Sequence, residues 1–179
     1  MKGDYITTYS GVHFYPLEPN PDDLRIEDIA HALSFICRGN GQVKEFYSVG
    51  EHCINCALEA QRRGYSDRVI LACLLHDASE SYLSDVPKPF KKYLNDYQRI
   101  EEQLLSCIYT KYLGSDLSKE EQEKVHEIDK DLLAHDLFYL LGEGSLADLP
   151  LLERSYPYGK TTPASVEKAY LEVFRRMQG

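Results

Sequence analysis

The sequence has no apolar segment long enough to cross a membrane. Its longest uninterrupted apolar run, Val69–Leu75, falls far short of the roughly 18 residues that a transmembrane helix needs. The first residues, Met1–Tyr5, contain no apolar stretch of the kind that secretory signal peptides carry. We therefore predict a cytoplasmic protein with no membrane partner.

Basic residues are scarce in comparison with acidic ones. The chain has 20 Lys and Arg against 29 Asp and Glu, which gives a formal net charge of −9. Proteins that bind a nucleic-acid backbone normally present a dense basic patch, so we predict no nucleic-acid polymer as a partner. A small anionic substrate remains compatible with this charge if a metal ion or a few placed cations supply local positive charge.

The sequence also lacks a disulfide pattern. It has five cysteines, an odd number, and only one Cys-x-x-Cys pair, formed by Cys53 and Cys56. Without a secretory signal, this usage indicates reduced thiols. Both cysteines of the pair lie in a helical pattern, where buried thiols commonly pack as small hydrophobic side chains. We therefore interpret the pair as core packing rather than as a zinc or redox site.

The length of 179 residues is typical of one domain. Residues 1–25 contain three closely spaced prolines and predict an extended, turn-rich leader, with room for a small hairpin around Tyr9–Gly11. From residue 26 onward, apolar residues recur at helical spacing. The predicted fold class is all-α, a single-domain helical bundle over residues 26–179 that follows the leader.

Six helices are predicted from this spacing and from capping signals. Serines at positions 48, 66 and 118 are placed to cap helix starts, and glycines at positions 64 and 114 to end helices. Val69–Leu75 is apolar on nearly every face, which is typical of a helix buried on all sides. The predicted helices cover residues 26–37, 48–63, 66–80, 89–113, 118–141 and 163–177.

Two polar residues, His76 and Asp77, stand at the end of the apolar helix, where an unpaired charge is costly to bury. Adjacent helical residues point about 100° apart, which suits two neighbouring ligands of an octahedral metal ion. Glu80 follows one turn later on the same predicted face, placed to act on a metal-bound water rather than to coordinate the metal. Taken alone, such a His-Asp pair is more often a capping or salt-bridging pair.

Two other helices supply candidates for the remaining ligands. His52 lies on the inward face of the second predicted helix, and Asp129 lies on the fifth. With His76 and Asp77 they form a set of two imidazoles and two carboxylates, which suits Co, Mn, Zn or Fe rather than Ca. We therefore expect a divalent transition metal as cofactor.

These residues resemble the signature of the HD-domain metal phosphohydrolases, in which a His is followed by a His-Asp pair and then by a downstream Asp. The segments His76–Glu80 and Asp85–Pro89 are similar to the matching region of the YfbR-like 5′-deoxynucleotidases. Ile26–Ser34 and Phe46–Val49 also resemble small phage and bacterial HD proteins, some of which hydrolyse dATP. The resemblance covers most of residues 5–141.

The resemblance implies an HD-domain fold and assigns a role to each matching residue. The metal ligands of the family correspond to His52, His76, Asp77 and Asp129. Its catalytic carboxylates correspond to Glu80 and Asp85, and its phosphate-binding arginine to Arg38, at the end of the first predicted helix. In that family a tryptophan follows the arginine and helps to reject ribose, whereas this sequence has Gly39 and no tryptophan. Lys88 is a candidate for contact with a longer phosphate tail.

The function implied by the resemblance is metal-dependent hydrolysis of 2′-deoxynucleotides, foremost the release of phosphate from dNMPs by a 5′-deoxynucleotidase. A triphosphohydrolase of dNTPs fits the same site, because Gly39 leaves room for a longer ligand. A catalytically silent nucleotide-binding HD module predicts damaged ligands, and none is damaged here. We also expect a homo-oligomer, a dimer or higher. Asp131 and Asp136 are interpreted as the polar, solvent-facing side of the fifth helix, with the alternative that one of them binds a second metal ion.

Overall fold

The computed structural model describes residues 4–179. The fold is all-α apart from one short hairpin, as predicted, and its helices share one core. The hairpin strands are β1 (Ile6–Thr7) and β2 (His13–Phe14). The helices are α1 (Ile26–Phe35), α2 (Val49–Arg62), α3 (Asp67–Leu75), α4 (Glu80–Leu83), α5 (Lys88–Lys91), α6 (Asn95–Leu113), α7 (Lys119–Asp136) and α8 (Pro163–Gln178).

Helix α3 forms the centre of the domain, and its predicted burial on all sides is confirmed. Every residue of Val69–Leu75 is buried, and the helix packs against α2, α6, α7 and α8. The hydroxyl of Tyr170 on α8 donates a hydrogen bond of 2.7 Å to the carbonyl of Leu74. Because α3 is anchored on all sides, the residues that follow it are held in fixed positions. Among the described residues, no helix is both long enough and apolar enough to cross a membrane.

The N-terminal segment packs onto the helices through the predicted hairpin, which the structure confirms. Ile6 pairs with Phe14 across its two antiparallel strands. Phe14 is fully buried and contacts the ring of Tyr82. At the hairpin turn, the backbone N–H and hydroxyl of Ser10 both donate to the carboxylate of Asp28 on α1.

Two predicted helices end earlier than the apolar pattern indicates. Helix α1 ends at Phe35, and the chain then makes a tight turn over Arg38–Gly41. Helix α3 ends at Leu75, and the next residues make hydrogen bonds of three-residue spacing, including one from the N–H of Glu80 to the carbonyl of Asp77. The prediction of one helix through residue 80 was wrong, because tight turns replace the α-helical spacing there.

The fourth predicted helix is also wrong in its first part. Lys88–Lys91 forms a separate turn of helix, and the long helix α6 begins only at Asn95. Phe90 and Tyr93 are exposed, so their side chains provide no burial that would stabilise one continuous helix. At the end of α7, the helix gives way after Asp136 to the wider π-helical turn Leu137–Leu141.

Candidate metal centre

Three helices bring the four predicted ligands together. His52 lies on α2, His76 and Asp77 follow the end of α3, and Asp129 lies on α7. The Nε2 atom of His52 is 3.1 Å from Oδ1 of Asp129. The Nε2 atom of His76 is 3.3 Å from Oδ2 of Asp77 and 3.6 Å from Oδ1 of Asp129. Ligands bound about 2.0–2.3 Å from one metal ion are separated by roughly 2.8–3.8 Å, so these distances fit a shared ion.

Both imidazole rings are oriented by hydrogen bonds from the nitrogen that faces away from the centre. Nδ1 of His76 donates to the carbonyl oxygen of Cys73 at 2.8 Å. Nδ1 of His52 donates to Oδ2 of Asp136, also at 2.8 Å. Such bonds fix the ring orientation and leave Nε2 available as a ligand, an arrangement that is common around metal-binding histidines. The two Nε2 atoms therefore both face the carboxylate of Asp129.

A buried nitrogen that makes no hydrogen bond, although two carboxylates lie near it, provides the structural test of whether a metal ion fits. Nε2 of His76 is buried and has no hydrogen-bond partner among the described residues. A buried polar atom without a partner is costly in the absence of a ligand, and coordination of a metal ion by the ring nitrogen would satisfy it. The surrounding set of two imidazoles and two carboxylates suits Mn, Fe, Co or Zn. The residues present therefore fit a divalent transition metal.

The electrostatics of the cluster also favour a bound cation. The pKa of His76 is raised well above its usual range, because the neighbouring Asp77 and Asp129 outweigh the opposing effect of burial. Burial likewise opposes the shift at Asp129, whose pKa is lowered by its hydrogen bond with His52 and by the nearby charge of His76. The pKa of Asp77 is also lowered, since the charges of His76 and Arg38 outweigh burial. The cluster stabilises positive charge at its centre.

Asp136 is a member of this cluster that the sequence interpretation assigned to the solvent-facing side of the helix, and that prediction was wrong. The residue is 4% exposed. Besides the bond from His52, its carboxylate accepts one hydrogen bond of 3.3 Å from Arg38 and one of 2.9 Å from the hydroxyl of Tyr158. Asp136 follows Asp129 by seven residues, two helical turns, so the shared face was a signal that could have identified it.

The sequence analysis placed Arg38 at the end of the first predicted helix. In the structure, Arg38 lies instead in the tight turn that follows α1. Its side chain is 13% exposed and reaches Oδ2 of Asp77 at 3.5 Å as well as Asp136. Burial alone would lower the pKa of this guanidinium, but the charges of Asp136 and Asp77 raise it above its usual value. Arg38 is thus a permanent cation beside the predicted ligands.

Gly39 stands in a backbone conformation that explains why a large side chain is absent there. Its φ of 59° lies in the left-handed region, where residues with a Cβ are strained. Gly39 also lines a cavity of about 460 Å³ that extends from the candidate metal centre. The turn that brings Arg38 inward therefore favours glycine at this position, and it leaves open space in the cavity.

The two predicted catalytic carboxylates, Glu80 and Asp85, line the same cavity. Glu80 opens helix α4 and is 5% exposed, and its Oε2 atom has no hydrogen-bond partner among the described residues. Burial, together with the charges of Asp77 and Asp85, raises the pKa of Glu80 well above its usual range. Burial also raises the pKa of Asp85, although Arg38 acts against this shift. Carboxylates with shifted pKa values in a cleft are typical of acid–base sites.

Lys88 extends over the mouth of this cavity. Its Nζ atom is 3.5 Å from Oδ2 of Asp129, and its side chain is 67% exposed. The neighbouring Lys91 also lines the cavity, but it is already paired with Glu101 at 2.8 Å. Lys88 is thus a largely solvated cation that a ligand in the cavity can reach.

The comparisons with known proteins give similarity without an assigned activity. No family model matches the chain. It is 43% identical over 109 residues to the uncharacterized protein YfdR of Escherichia coli K12, a match that covers 60% of this chain and 58% of the relative. It is 35% identical over 117 residues to an uncharacterized protein of Rhodobacter capsulatus, covering 63% and 60% of the two chains. The chain therefore spans less than two thirds of the length of each relative.

Proposed function

We propose that this protein is a metal-dependent phosphohydrolase of the HD type that acts on 2′-deoxynucleotides, foremost as a 5′-deoxynucleotidase. The observation that carries the proposal is the convergence of four metal-binding side chains with an arginine and two carboxylates around one cavity. The ligand set alone is compatible with many metal proteins. The added cation and the two acids are the groups that hydrolysis of a phosphate ester requires.

The metal ion would be held by His52, His76, Asp77 and Asp129. When bound, such an ion polarises a phosphoryl oxygen and lowers the pKa of a coordinated water. Asp136 would hold the His52 ring in place through its 2.8 Å hydrogen bond. The hydrogen bond to the carbonyl of Cys73 would do the same for His76.

Arg38 would bind the phosphate group of the substrate. Its guanidinium lies beside Asp77 and lines the cavity, and it would stabilise the charge that increases on the equatorial phosphate oxygens during the reaction. A guanidinium offers two parallel donors, which matches the geometry of a phosphate. The hydrogen bond to Asp136 and the ion pair with Asp77 would keep its fork oriented before substrate binds.

Glu80 and Asp85 would transfer the protons. Glu80 would accept the proton of the attacking water while the water oxygen bonds to phosphorus. Asp85 would donate a proton to the nucleoside oxygen as its bond to phosphorus breaks. The products are inorganic phosphate and a deoxynucleoside, and the proton gained by Glu80 balances the proton lost by Asp85 once the two exchange with solvent.

A second candidate function is the hydrolysis of dNTPs with release of triphosphate. Two observations favour it: Gly39 leaves the cavity open at the arginine, and Lys88 stands solvated at the cavity mouth beside Asp129. An additional phosphate tail would neutralise Lys88.

We further propose a cytoplasmic protein that forms a homo-oligomer of two or more subunits. Light scattering of the purified protein measures its oligomeric state.

The experiment that tests this function is a product analysis. Protein loaded in parallel with Mn, Co, Zn or Mg is incubated with deoxy- and ribonucleoside mono- and triphosphates, and the products are separated by ion-exchange chromatography. We expect inorganic phosphate from dNMPs. Triphosphate from dNTPs would instead support the second candidate. Absence of both products with every metal would contradict the proposal.

A further inference from the structure

One cysteine of the pair that the sequence analysis assigned to packing lies directly at the candidate metal centre. Cys56 follows His52 by four residues on α2, and its side chain therefore lies on the same helical face. Its Sγ atom is 3.5 Å from Nε2 of His52. The residue is buried, as predicted, yet it contacts a ligand nitrogen rather than only apolar side chains.

A second observation indicates a ligand at the same place. The donor atoms of His52, Cys56 and His76 all lie within 4.8 Å of one another. Nε2 of His76 is buried without a hydrogen-bond partner among the described residues. In a tetrahedral zinc site, a thiolate and an imidazole nitrogen bound to the same ion are roughly 3.5 Å apart. The distance between Cys56 and His52 matches this value.

We propose that Cys56 is a ligand of the centre for thiophilic divalent cations such as Zn²⁺, so that His52, His76 and Cys56 form a second ligand set. This inference rests on the metal centre of the proposed function but not on its hydrolytic activity. On binding, the S–H bond breaks, the proton passes to solvent, and a sulfur–metal bond forms with no change of oxidation state.

The two ligand sets share both imidazoles and differ in their remaining donors. The carboxylates Asp77 and Asp129 suit harder ions such as Mn²⁺, whereas a thiolate favours Zn²⁺. The same centre would therefore bind both types of ion, but with different ligands. It follows that a zinc-loaded protein contains a metal–sulfur bond that a manganese-loaded protein lacks.

Cys53 is the natural internal control for this assignment. It is also buried and lies near His76 and Asp77, but its Sγ does not group with His52. Cys53 precedes Cys56 by three residues, so both lie toward the same side of α2, but the Sγ of Cys53 groups with His76 and Asp77, whereas that of Cys56 groups with both imidazoles. A serine at position 53 should therefore leave the proposed zinc ligands intact.

The test uses spectroscopy, without substrate, on the full chain. X-ray absorption of the zinc-loaded protein should show one sulfur at about 2.3 Å. Cobalt-loaded protein should show a sulfur-to-cobalt charge-transfer band in the near ultraviolet. Cys56→Ser should remove both signals and weaken zinc binding at least about tenfold in competition with a chelator. Cys53→Ser and the more distant Cys107→Ser should keep them.

The outcomes separate this inference from the proposed function. A wild-type zinc spectrum with no sulfur ligand, or a charge-transfer band that persists in Cys56→Ser, overturns it. Loss of the band in Cys53→Ser but not in Cys56→Ser overturns it as well. If Cys56→Ser does not fold, Cys56→Ala and the wild-type absorption spectrum decide the question. Sulfur ligation in a protein without hydrolytic activity would support this inference while contradicting the function.

Discussion

The proposed reaction requires a charged carboxylate at Glu80, whereas the stability of the fold favours a neutral side chain there. Its raised pKa means that the fold disfavours the charged form, because the carboxylate is buried near Asp77 and Asp85. A carboxyl group with a raised pKa in the folded state costs stability above its ordinary pKa of 4.5, and this cost disappears as the pH falls and the group takes up a proton. The buried carboxylate therefore lowers the stability of the fold at neutral pH.

Replacing this carboxylate should separate the two demands. In metal-free protein at neutral pH, we expect Glu80→Gln to raise the melting temperature by about 2–4 °C, equivalent to about 1 kcal/mol, with the difference vanishing at acidic pH. In metal-loaded protein, kcat should fall by roughly 10²–10⁴ with the metal content unchanged. The exposed Glu123→Gln on α7 is the control and should change neither quantity. Loss of the metal in Glu80→Gln would mean that Glu80 is itself a ligand.

Arg38 has a structural role that its burial creates, in addition to the phosphate binding proposed for it. Its removal leaves Asp77 and Asp136 without their cation, so Arg38→Ala should lower the free energy of unfolding by about 3 kcal/mol. It should also lower kcat/KM by about 10²-fold or more. Arg38→Lys keeps the charge but loses the planar fork, so it should restore stability more than activity. Denaturant unfolding and steady-state kinetics measure the two effects, and equal recovery of both in Arg38→Lys would argue against phosphate binding by the fork.

Asp136 tests the orientation of a ligand rather than the chemistry. Asp136→Asn should weaken metal affinity by about 10–100-fold, because the neutral amide holds His52 less firmly. At saturating metal, kcat/KM should fall less than in Arg38→Ala, because Asp136 also accepts a hydrogen bond from the guanidinium of Arg38. Metal titration and kinetics on the same preparations measure both values. Unchanged metal affinity would show that His52 does not depend on this hydrogen bond.

At the scale of elements, the loop between α4 and α5 positions Asp85 through a strained residue. Ser84 has φ 69° and ψ 158°, a conformation that is accessible almost only to glycine. A hydrogen bond of 2.7 Å from the hydroxyl of Tyr97 to the carbonyl of Ser84 anchors the loop to α6. The backbone just before Asp85 thus adopts a conformation that is unfavourable for a serine.

Relief of this strain provides the prediction at this scale. We expect Ser84→Gly to raise the free energy of unfolding by about 1 kcal/mol, the net of the relieved strain and the greater entropy of glycine in the unfolded chain. The activity should fall, since Asp85 is then held less rigidly. Denaturant unfolding combined with kinetics measures both. A destabilised variant would show that the backbone at this position is not strained.

The comparison of prediction with structure is clearest for these elements. The buried helix α3 was predictable because an apolar run of that length has no other stable place, and the capping box at Ser118 is present as expected. The end of α3 at Leu75 was not predictable. The tight turns that follow bury residues at nearly the same spacing as a continuing α-helix, so the apolar pattern does not distinguish the two. The turn that carries Arg38 inward depends on left-handed backbone at Gly39, which spacing patterns do not reveal.

At the scale of the whole molecule, the site joins parts of the chain that are far apart in sequence. His52 and Asp129 are 77 residues apart, and Tyr158 reaches Asp136 from the loop before α8. The resemblance predicted the first two residues, and the structure brings them together. Asp136 was misinterpreted because a polar residue at helical spacing has the same pattern whether it faces solvent, the core or a metal. Only the tertiary packing distinguishes these cases.

The central claim is that a metal ion held by this cluster hydrolyses deoxynucleotide phosphate esters. The most direct test measures phosphate release from a dNMP by chelator-treated protein to which a transition metal is added back. Asp77→Asn serves as the ligand variant, and Asp67→Asn at the exposed start of α3 serves as the control. The account predicts no release without metal, recovery on metal addition in the wild type and Asp67→Asn, and neither bound metal nor release in Asp77→Asn. Full metal content and normal turnover in Asp77→Asn, or turnover without metal, would contradict it.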